Sequence, residues 1–345
     1  MKYIKKLNIK SFRGIKDLQL CDLGEMNILL GKNNSGKTSI LEAIDIIENP
    51  FEEGNIINVG KKRELLNNQN SSYTIFKNML NKSSSSIEID GIINEKKLEI
   101  YITGKEISVV TEMPYSPIIK AFEGKAKINY GEITFNEDIK ILQTDSTFVI
   151  DNNLSILPIV HITPIDYLLE NSSNEIIKKG KKKELIRLLE IFDEDITGLE
   201  MIEENKKTVP YVEHKKLGLM PLSTYGDGLK KVLLLGSSII EAKNGVLLID
   251  EVETAIHIDA LVDVFKWFVK ACETYKVQVF MTTHSIEVID AVFESQNDLN
   301  DIQFLENSLR IITIRNSADE QKTRVRNLNG LRAFNARDNF NMELR

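Results

Sequence analysis

Eight residues constrain this chain more than anything else in it: Gly31-Lys32-Asn33-Asn34-Ser35-Gly36-Lys37-Thr38, a glycine, four free positions, then Gly-Lys-Thr. An apolar run from Met26 to Leu30 leads into them. Behind them, Ile40, Leu41, Ile44 and Ile47 recur at spacings of three and four, which places them on one helical face between Thr38 and Ile47. A strand, a glycine loop and a helix in that order predict an α/β chain with a phosphate-binding loop. Glycines let successive backbone N–H groups point inward at phosphate oxygens, and the helix N-terminus adds partial positive charge. Lys37 would neutralise β- and γ-phosphate oxygens, and Thr38 would ligate a divalent cation.

A second apolar run, Val246-Leu247-Leu248-Ile249, delivers Asp250 and Glu251 at its end. A buried parallel strand reads this way, and its carboxylate beside a phosphate loop would hold Mg²⁺. Glu251 then becomes the candidate to orient or deprotonate an attacking water. Pro221-Leu222-Ser223-Thr224-Tyr225-Gly226-Asp227-Gly228 lies at a predicted helix start, a second place where free N–H groups and a hydroxyl could grip a phosphate. Met281-Thr282-Thr283-His284-Ser285 ends another apolar strand with an imidazole able to hydrogen-bond a γ-phosphate oxygen.

Between these motifs the chain changes character. Residues 1–30 read as short strands around a basic turn at Phe12-Arg13-Gly14. From Pro50 to Ser86 we expect an exposed helix or two, with a flexible stretch at Ser83–Ser86. IEIDGII, KLEIYITG, EISVVTE, AKINYGEITF and IKILQ read as an antiparallel β lobe, inserted over 87–150. The stretch 165–240 reads as a helical segment with one strand at Thr208–Val212 and the 221–228 motif. Strand and helix then alternate to the end. The predicted architecture is a single head over 1–345: a P-loop lobe from 1–80 and 240–345, the β insertion, and the helical segment.

The order of Gly31–Thr38, Ser223–Gly228, Asp250-Glu251 and His284 resembles ABC-type ATPase heads: Walker A, signature, Walker B with catalytic glutamate, and switch histidine. Ser11-Phe12-Arg13-Gly14, the long insertion before the signature, and Glu251-Val252-Glu253-Thr254-Ala255-Ile256-His257 are similar to the SMC, RecF and OLD group. Gly226-Asp227-Gly228 and the terminal Asn341-Met342-Glu343-Leu344-Arg345 resemble most the stand-alone AAA_15/AAA_21 (OLD-like) ATPases of bacterial defence operons.

That resemblance implies ATP and Mg²⁺ as cofactors, with Thr38 and Asp250 on the metal and Lys37, Glu251 and His284 in catalysis. It implies nucleotide contacts from Gly31, Asn33, Asn34, Ser35, Gly36, Lys37, Thr38, Ser39 and Arg13. It further implies a head-to-tail dimer in which Ser223, Thr224, Gly226, Asp227 and Gly228 close on the mate's nucleotide. Ser223 and Thr224 compete for the signature hydroxyl. Gln143 and the strand end at His161-Ile162-Thr163-Pro164 compete for the place of the family's Q-loop glutamine. His257 reads equally as a loop residue of the family or a cap, and Arg13 as a phosphate-facing residue or a surface arginine.

Composition sets the exclusions. With 42% hydrophobic and 28% charged residues the chain can bury a sizeable core, so disorder is ruled out. A formal net charge of −7 removes a whole-surface basic field for gripping nucleic acid, and the lysines at 178–183 leave only local backbone contact open. Cys21 and Cys272 fit neither a disulfide framework nor a zinc knuckle, suit a reducing cytoplasm, and read as small buried residues. No apolar stretch approaches the roughly 20 residues of a membrane helix. Residues 165–206 hold at most a short helical hairpin, which excludes long coiled-coil arms, and no nuclease domain fits after Val292. The expected function is an ATPase controlling a separate nuclease or toxin in anti-phage defence. The rivals are a RecF-like repair clamp and a nucleotide-gated scaffold with negligible turnover.

Overall fold

The computed structural model describes residues 1–63, 71–109, 118–144, 155–166, 176–204, 207–254, 256–296, 302–316 and 323–340. In chain order these form β1 (Ile4–Phe12), β2 (Ile15–Leu20), β3 (Met26–Leu30), α1 (Lys37–Asp45), α2 (Glu53–Lys62) and α3 (Ser72–Met79). Next come β4 (Ser86–Ile93), β5 (Lys96–Val109), β6 (Ile119–Tyr130), β7 (Ile133–Leu142) and β8 (Ile159–Ile162). Then follow α4 (Lys182–Phe192), β9 (Ile196–Glu204), β10 (Lys207–His214), β11 (Gly218–Pro221), α5 (Gly226–Glu241) and β12 (Val246–Ile249). The last are α6 (Leu261–Tyr275), β13 (Gln278–Thr283), α7 (Ile286–Glu294), β14 (Leu309–Asn316), β15 (Thr323–Asn329) and α8 (Gly330–Phe340).

The central sheet runs β15-β14-β3-β13-β12-β8, parallel except for the β14–β15 pair. Its inner strands are apolar at nearly every position because both faces are covered. In β12, Val246 and Leu248 face one hydrophobic cluster with α1, α2 and α3, while Leu247 and Ile249 face another with α4, α5, α6 and α7. The pleat sends alternate side chains to opposite sides. Parallel strands also end together, so β3, β12, β13 and β8 deliver Gly31, Asp250, His284 and Thr163 along one edge.

The antiparallel sheet has the order β2-β1-β4-β5-β6-β7. The strands of 87–150 therefore continue the N-terminal hairpin: β1 pairs with β4, so residues 4–20 are hydrogen-bonded into this sheet while packing against α1. Gln278, fully buried in β13, joins the two sheets. Its Oε1 accepts from the N–H groups of Tyr3 (2.9 Å) and Ile4 (2.8 Å), and its Nε2 donates to the carbonyls of Ile4 (2.9 Å) and Gly24 (2.8 Å).

Other expectations need correction. KLEIYITG and EISVVTE form one continuous strand, β5, as far as Val109, and the residues beyond lie outside those described. Gly104 reads as a turn but sits opposite Gly124, where a Cβ would come within 2.6 Å of the facing Cα, so it serves close strand approach. IKILQ is the end of β7, not a separate strand. α2 and α3 are not exposed helices, since Ile56, Ile57, Val59, Ile75, Phe76 and Met79 are buried. Ser86 is buried and starts β4. The segment 165–240 contains a three-stranded antiparallel sheet, β11-β10-β9, where the sequence suggested one strand. The helix expected after Asp166 falls mostly on 167–175, outside the described residues. Cys272 is buried as expected, but Cys21 is exposed.

Candidate nucleotide site

β3 delivers the chain into the glycine loop, and two glycines make its path feasible. A Cβ on Gly31 would sit 2.5 Å from Ser35 Oγ and 2.6 Å from the Ile314 carbonyl, so the loop packs too closely on β14 for any side chain. Gly36, at φ 98°, is the left-handed cap that lets α1 start at Lys37. Lys37 is 6% exposed, and its ammonium donates to the carbonyls of Gly31 (2.8 Å) and Lys32 (3.1 Å). Burial pushes its pKa down, opposed by the charges of Asp250, Glu251 and Glu253. A lysine folded back on loop carbonyls is a cation awaiting a stronger anion.

Thr38 Oγ1 donates to Asp250 Oδ2 at 2.9 Å. Asp250 Oδ1 accepts from Thr282 Oγ1 at 2.5 Å, and Thr282 Oγ1 itself accepts from the Glu251 N–H at 2.8 Å. Thr282 thus fixes both acidic residues. Glu251 adopts φ 51°, a left-handed conformation costly for a non-glycine residue, which turns its half-exposed side chain into the cleft. Its Oε1 lies 3.9 Å from His284 Nε2, and His284 Nδ1 lies 3.5 Å from Lys37 Nζ. The His284 N–H donates to Glu253 Oε1 at 2.8 Å.

A cleft of about 940 Å³ opens over these groups. Asn33, Asn34, Ser35, Gly36, Lys37, Thr38 and Ser39 line it together with Arg13, Glu251 and His284. Asp250 is joined to this lining through its hydrogen bond from Thr38. Arg13 is no surface arginine: its side chain is 12% exposed and grips Glu42, Nε to Oε2 at 2.6 Å and Nη2 to Oε1 at 3.0 Å. Burial pushes the Glu42 carboxyl up, and Arg13 and Arg63 oppose it.

The remaining candidates lie elsewhere. Ser223 and Thr224 are exposed in a short 3₁₀ turn, Leu222–Tyr225, and Gly226, Asp227 and Gly228 open α5. Ser223, Thr224 and Gly228 do not line the cleft. Thr224 Oγ1 donates to the Pro221 carbonyl at 2.7 Å, leaving Ser223 as the hydroxyl with fewer local ties. His257 is exposed and caps a 3₁₀ turn, accepting from the Asp259 N–H. Gln143 sits past the outer strand β7 with its N–H on the Lys120 carbonyl, away from the cleft, whereas His161 and Thr163 share a cavity with Thr38 and Asp250. The terminal 341–345 motif and Ala255 lie outside the described residues.

Thr282, Glu253 and Glu42 carry contacts that the motifs themselves do not announce. A threonine at the end of an otherwise apolar strand was the available signal for the first. Among the described residues, Asp193, Asp195 and His214 bring three donor atoms within 4.8 Å. His214 Nδ1 already accepts from the N–H groups of Lys216 (3.1 Å) and Leu217 (3.2 Å), so its proton sits on Nε2, facing Asp193 at 3.4 Å. Asp195 pairs with Lys216. This cluster locks the β10–β11 turn and offers no imidazole lone pair to a metal.

Residues 26–290 match the family model described as "AAA domain, putative AbiEii toxin, Type IV TA system" (AAA_21). The chain belongs to the AAA_21 family. It is an ABC-type ATPase head of the SMC/RecF group, as its motif order implies. An ATP/GTP phosphatase of Helicobacter pylori is 24% identical over 343 residues, covering 85% of this chain and 89% of that protein. The DNA replication and repair protein RecF of Teredinibacter turnerae is 30% identical over 113 residues, covering 33% of this chain and 29% of that protein. Among solved structures, the SMC head domain from Thermotoga maritima covers 94% of this chain and 98% of its own at 13% identity, with a TM-score of 0.48.

Proposed function

We propose that this AAA_21 chain binds ATP with Mg²⁺, hydrolyses it to ADP and phosphate, and closes as a head-to-tail dimer around two nucleotides. The observation that carries this reading is the meeting of Lys37, Thr38, Glu251 and His284 in one cleft, with Asp250 bonded to Thr38, from the ends of three parallel strands. The residues fit the nucleotide. Ser35 Oγ is buried in the loop without a hydrogen-bond partner, Lys37 is held by two loop carbonyls and His284, and Thr38 and Asp250 offer the hard oxygens that suit Mg²⁺. Mg²⁺ held by Thr38 and Asp250 would neutralise charge on the β- and γ-phosphates. Lys37 would leave its carbonyls for the same oxygens.

Glu251 would take a proton from water as that oxygen bonds to the γ-phosphorus and the bond to the β-phosphate oxygen breaks. His284 would hydrogen-bond the γ-phosphate, and Glu253 would register its loss through the His284 N–H. The name of the Helicobacter pylori relative supports hydrolysis. Ser223, Thr224 and Gly228 lie outside their own chain's cleft, which supports donation to a two-fold mate. In this reading 1–345 works as one head whose 165–240 segment faces the mate, and it acts in the cytoplasm. Among the described residues no helix is long and apolar enough to cross a membrane.

The dimer would control a separate nuclease or toxin in anti-phage defence, a role supported by the toxin–antitoxin wording of the family description. The RecF alignment favours a second reading, a DNA-repair clamp, in which duplex DNA would stimulate turnover. Mixing two inactive variants tests the shared site. Gly226→Asp places a charge against the mate's phosphate, and Lys37→Ala empties its own loop. A heterodimer of the two retains one intact composite site, so partial ATPase recovery is expected. No recovery in proven heterodimers contradicts the shared site.

A further inference from the structure

Glu251 and His284 line the cleft from the ends of β12 and β13, and a second wall comes from the antiparallel sheet: the β1–β2 turn with Lys16 after it, and the α3–β4 connection at Asn78–Ser83. Asn81 is buried and fastens the two segments together. Its Nδ2 donates to the carbonyls of Arg13 (2.8 Å) and Ile15 (3.1 Å), and its Oδ1 accepts from the N–H (3.0 Å) and Oγ (2.6 Å) of Ser83. The Arg13 N–H donates to the Met79 carbonyl at 2.9 Å. Ser11, opposite Lys16 in the β1–β2 ladder, brings its Oγ to 2.5 Å from Ser84 Oγ. Each segment also holds a non-glycine residue in the left-handed region, Arg13 at φ 48° and Ser85 at φ 51°. Such conformations persist where surrounding contacts over-determine them, and they cluster at ligand clamps. The serines of 83–86 therefore belong to a fixed wall, not to the flexible stretch their composition suggests.

The wall is cationic. Lys16 and Lys82 line the cleft together with Arg13 and Arg63, and among the described residues Glu251 is the one carboxylate in the lining. Glu42 lies behind and offsets one charge of the two arginines: it takes Arg13 in two contacts and stands 3.8 Å from Arg63 Nη1. Lys82 is exposed on the wall and makes no hydrogen bond or ion pair among the described residues. On a chain with a formal net charge of −7, this is a local concentration of positive potential. A triphosphate whose terminal phosphate meets Lys37 and His284 turns its nucleoside toward the wall. All the charge of ATP lies on its phosphates, which the loop N–H groups, Lys37 and Mg²⁺ already answer. Base and ribose give the wall no anion to hold.

We propose that Lys16 and Lys82 form a second anion subsite in the cleft, which takes a phosphoryl group carried on the ribose 3′-oxygen of a bound nucleoside triphosphate. The inference rests on the nucleotide reading above and extends it from ATP to a doubly phosphorylated ligand. Lysine ammonium groups act as point charges with three donors each, so they accept a terminal phosphate and a bridging phosphodiester alike. Two sources share that chemistry: a free nucleotide phosphorylated at both ends, and the 5′-triphosphate end of a strand, whose first linkage is on the 3′-oxygen. Asn81 keeps the two lysine-bearing segments in register, so the wall is set before the ligand arrives.

Competition titrations against a fluorescent ATP analogue, in Mg²⁺ and low salt on the full chain, test this. The competitors are ATP, adenosine 3′-phosphate 5′-triphosphate, the 5′-triphosphorylated dinucleotide pppApA, and adenosine 5′-tetraphosphate. A 3′-phosphorylated competitor should bind about tenfold or more tighter than ATP, the factor expected of one charge-assisted contact. A gain for the mononucleotide alone identifies a free nucleotide as the source, and a gain for the dinucleotide identifies a strand end. The tetraphosphate adds its charge at the other end of the ligand and should gain less than about threefold. An equal gain there would assign the effect to net charge and overturn the subsite. Lys82→Met and Lys16→Met should remove most of the preference while leaving ATP affinity within about threefold. Lys82 is exposed, so its variant should fold with an unchanged circular dichroism spectrum even if Lys16→Met does not. Affinities for ATP and both 3′-phosphorylated competitors within about twofold of one another, or a preference that survives in folded Lys82→Met, overturn this inference alone. Failure of wild-type protein to bind ATP overturns the nucleotide reading and this one with it.

Discussion

Thr38 Oγ1 lies 2.9 Å from Asp250 Oδ2, joining the first turn of α1 to the end of β12 across 212 residues of sequence. Neither residue is remarkable alone. Together they place two hard oxygen donors at the bottom of a cleft whose other wall is a lysine and a glycine loop.

Thr38→Val keeps the shape of that side chain and removes its oxygen. Calorimetry should show ATP affinity unchanged in chelator and weakened about 10–100-fold in Mg²⁺ relative to wild type. An equal Mg²⁺ enhancement in both proteins would remove Thr38 from the metal site.

Glu251→Gln retains most of the hydrogen-bonding capacity of the side chain but loses the base. Phosphate release should fall about 10²–10⁴-fold, with ATP still bound and the dimer persisting in size-exclusion chromatography. Turnover at the wild-type rate would shift the base to another residue, and Glu253 is the nearest alternative in sequence.

Gln278→Leu is a test of the fold, not of chemistry. It removes four hydrogen bonds that tie β13 to the start of β1 and to Gly24, and leaves the N–H groups of Tyr3 and Ile4 buried without partners. Urea denaturation should show a loss of about 3 kcal/mol or more. A change below about 1 kcal/mol would mean that the apolar contacts alone hold the sheets together.

Glu48 predicts a pH dependence. Burial pushes its carboxyl from 4.5 up to about 7, with the Ile159 N–H opposing and Asp45 reinforcing the rise. The folded state thus holds the proton more tightly than the unfolded chain. The stabilising contribution of that proton is fully present below pH 4.5 and is lost as pH rises from there through about 7. Glu48→Gln should therefore gain about 1–2 kcal/mol over wild type at pH 8, discounted for partial exposure, and little at pH 4.5. A pH-independent difference would contradict the assignment.

The site was legible where chemistry demands fixed spacing. A phosphate loop needs Gly31, Gly36 and Lys37 in one register, and the apolar run before Asp250 has no other reading once the sheet is parallel. The Arg13–Glu42 grip was hidden because the two come from different elements, the β1–β2 turn and α1, and neither neighbourhood is unusual. Gln278 was hidden for the opposite reason: an amide in an apolar strand reads as a blemish until four backbone partners surround it. Of the β9–β11 sheet only the strand around Thr208–Val212 was legible, because few of its residues are fully buried, Leu199 and Val212 among them. Gly104 misled in the same way, since a glycine that serves close strand packing carries the local signature of a turn.

The most direct measurement is calorimetric titration of MgATP into wild-type protein and Lys37→Ala. The account predicts one site per chain in wild type and a loss of at least about 100-fold in the variant, with an unchanged circular dichroism spectrum. Wild-type affinity in a folded Lys37→Ala protein, or no binding to wild type, would contradict it.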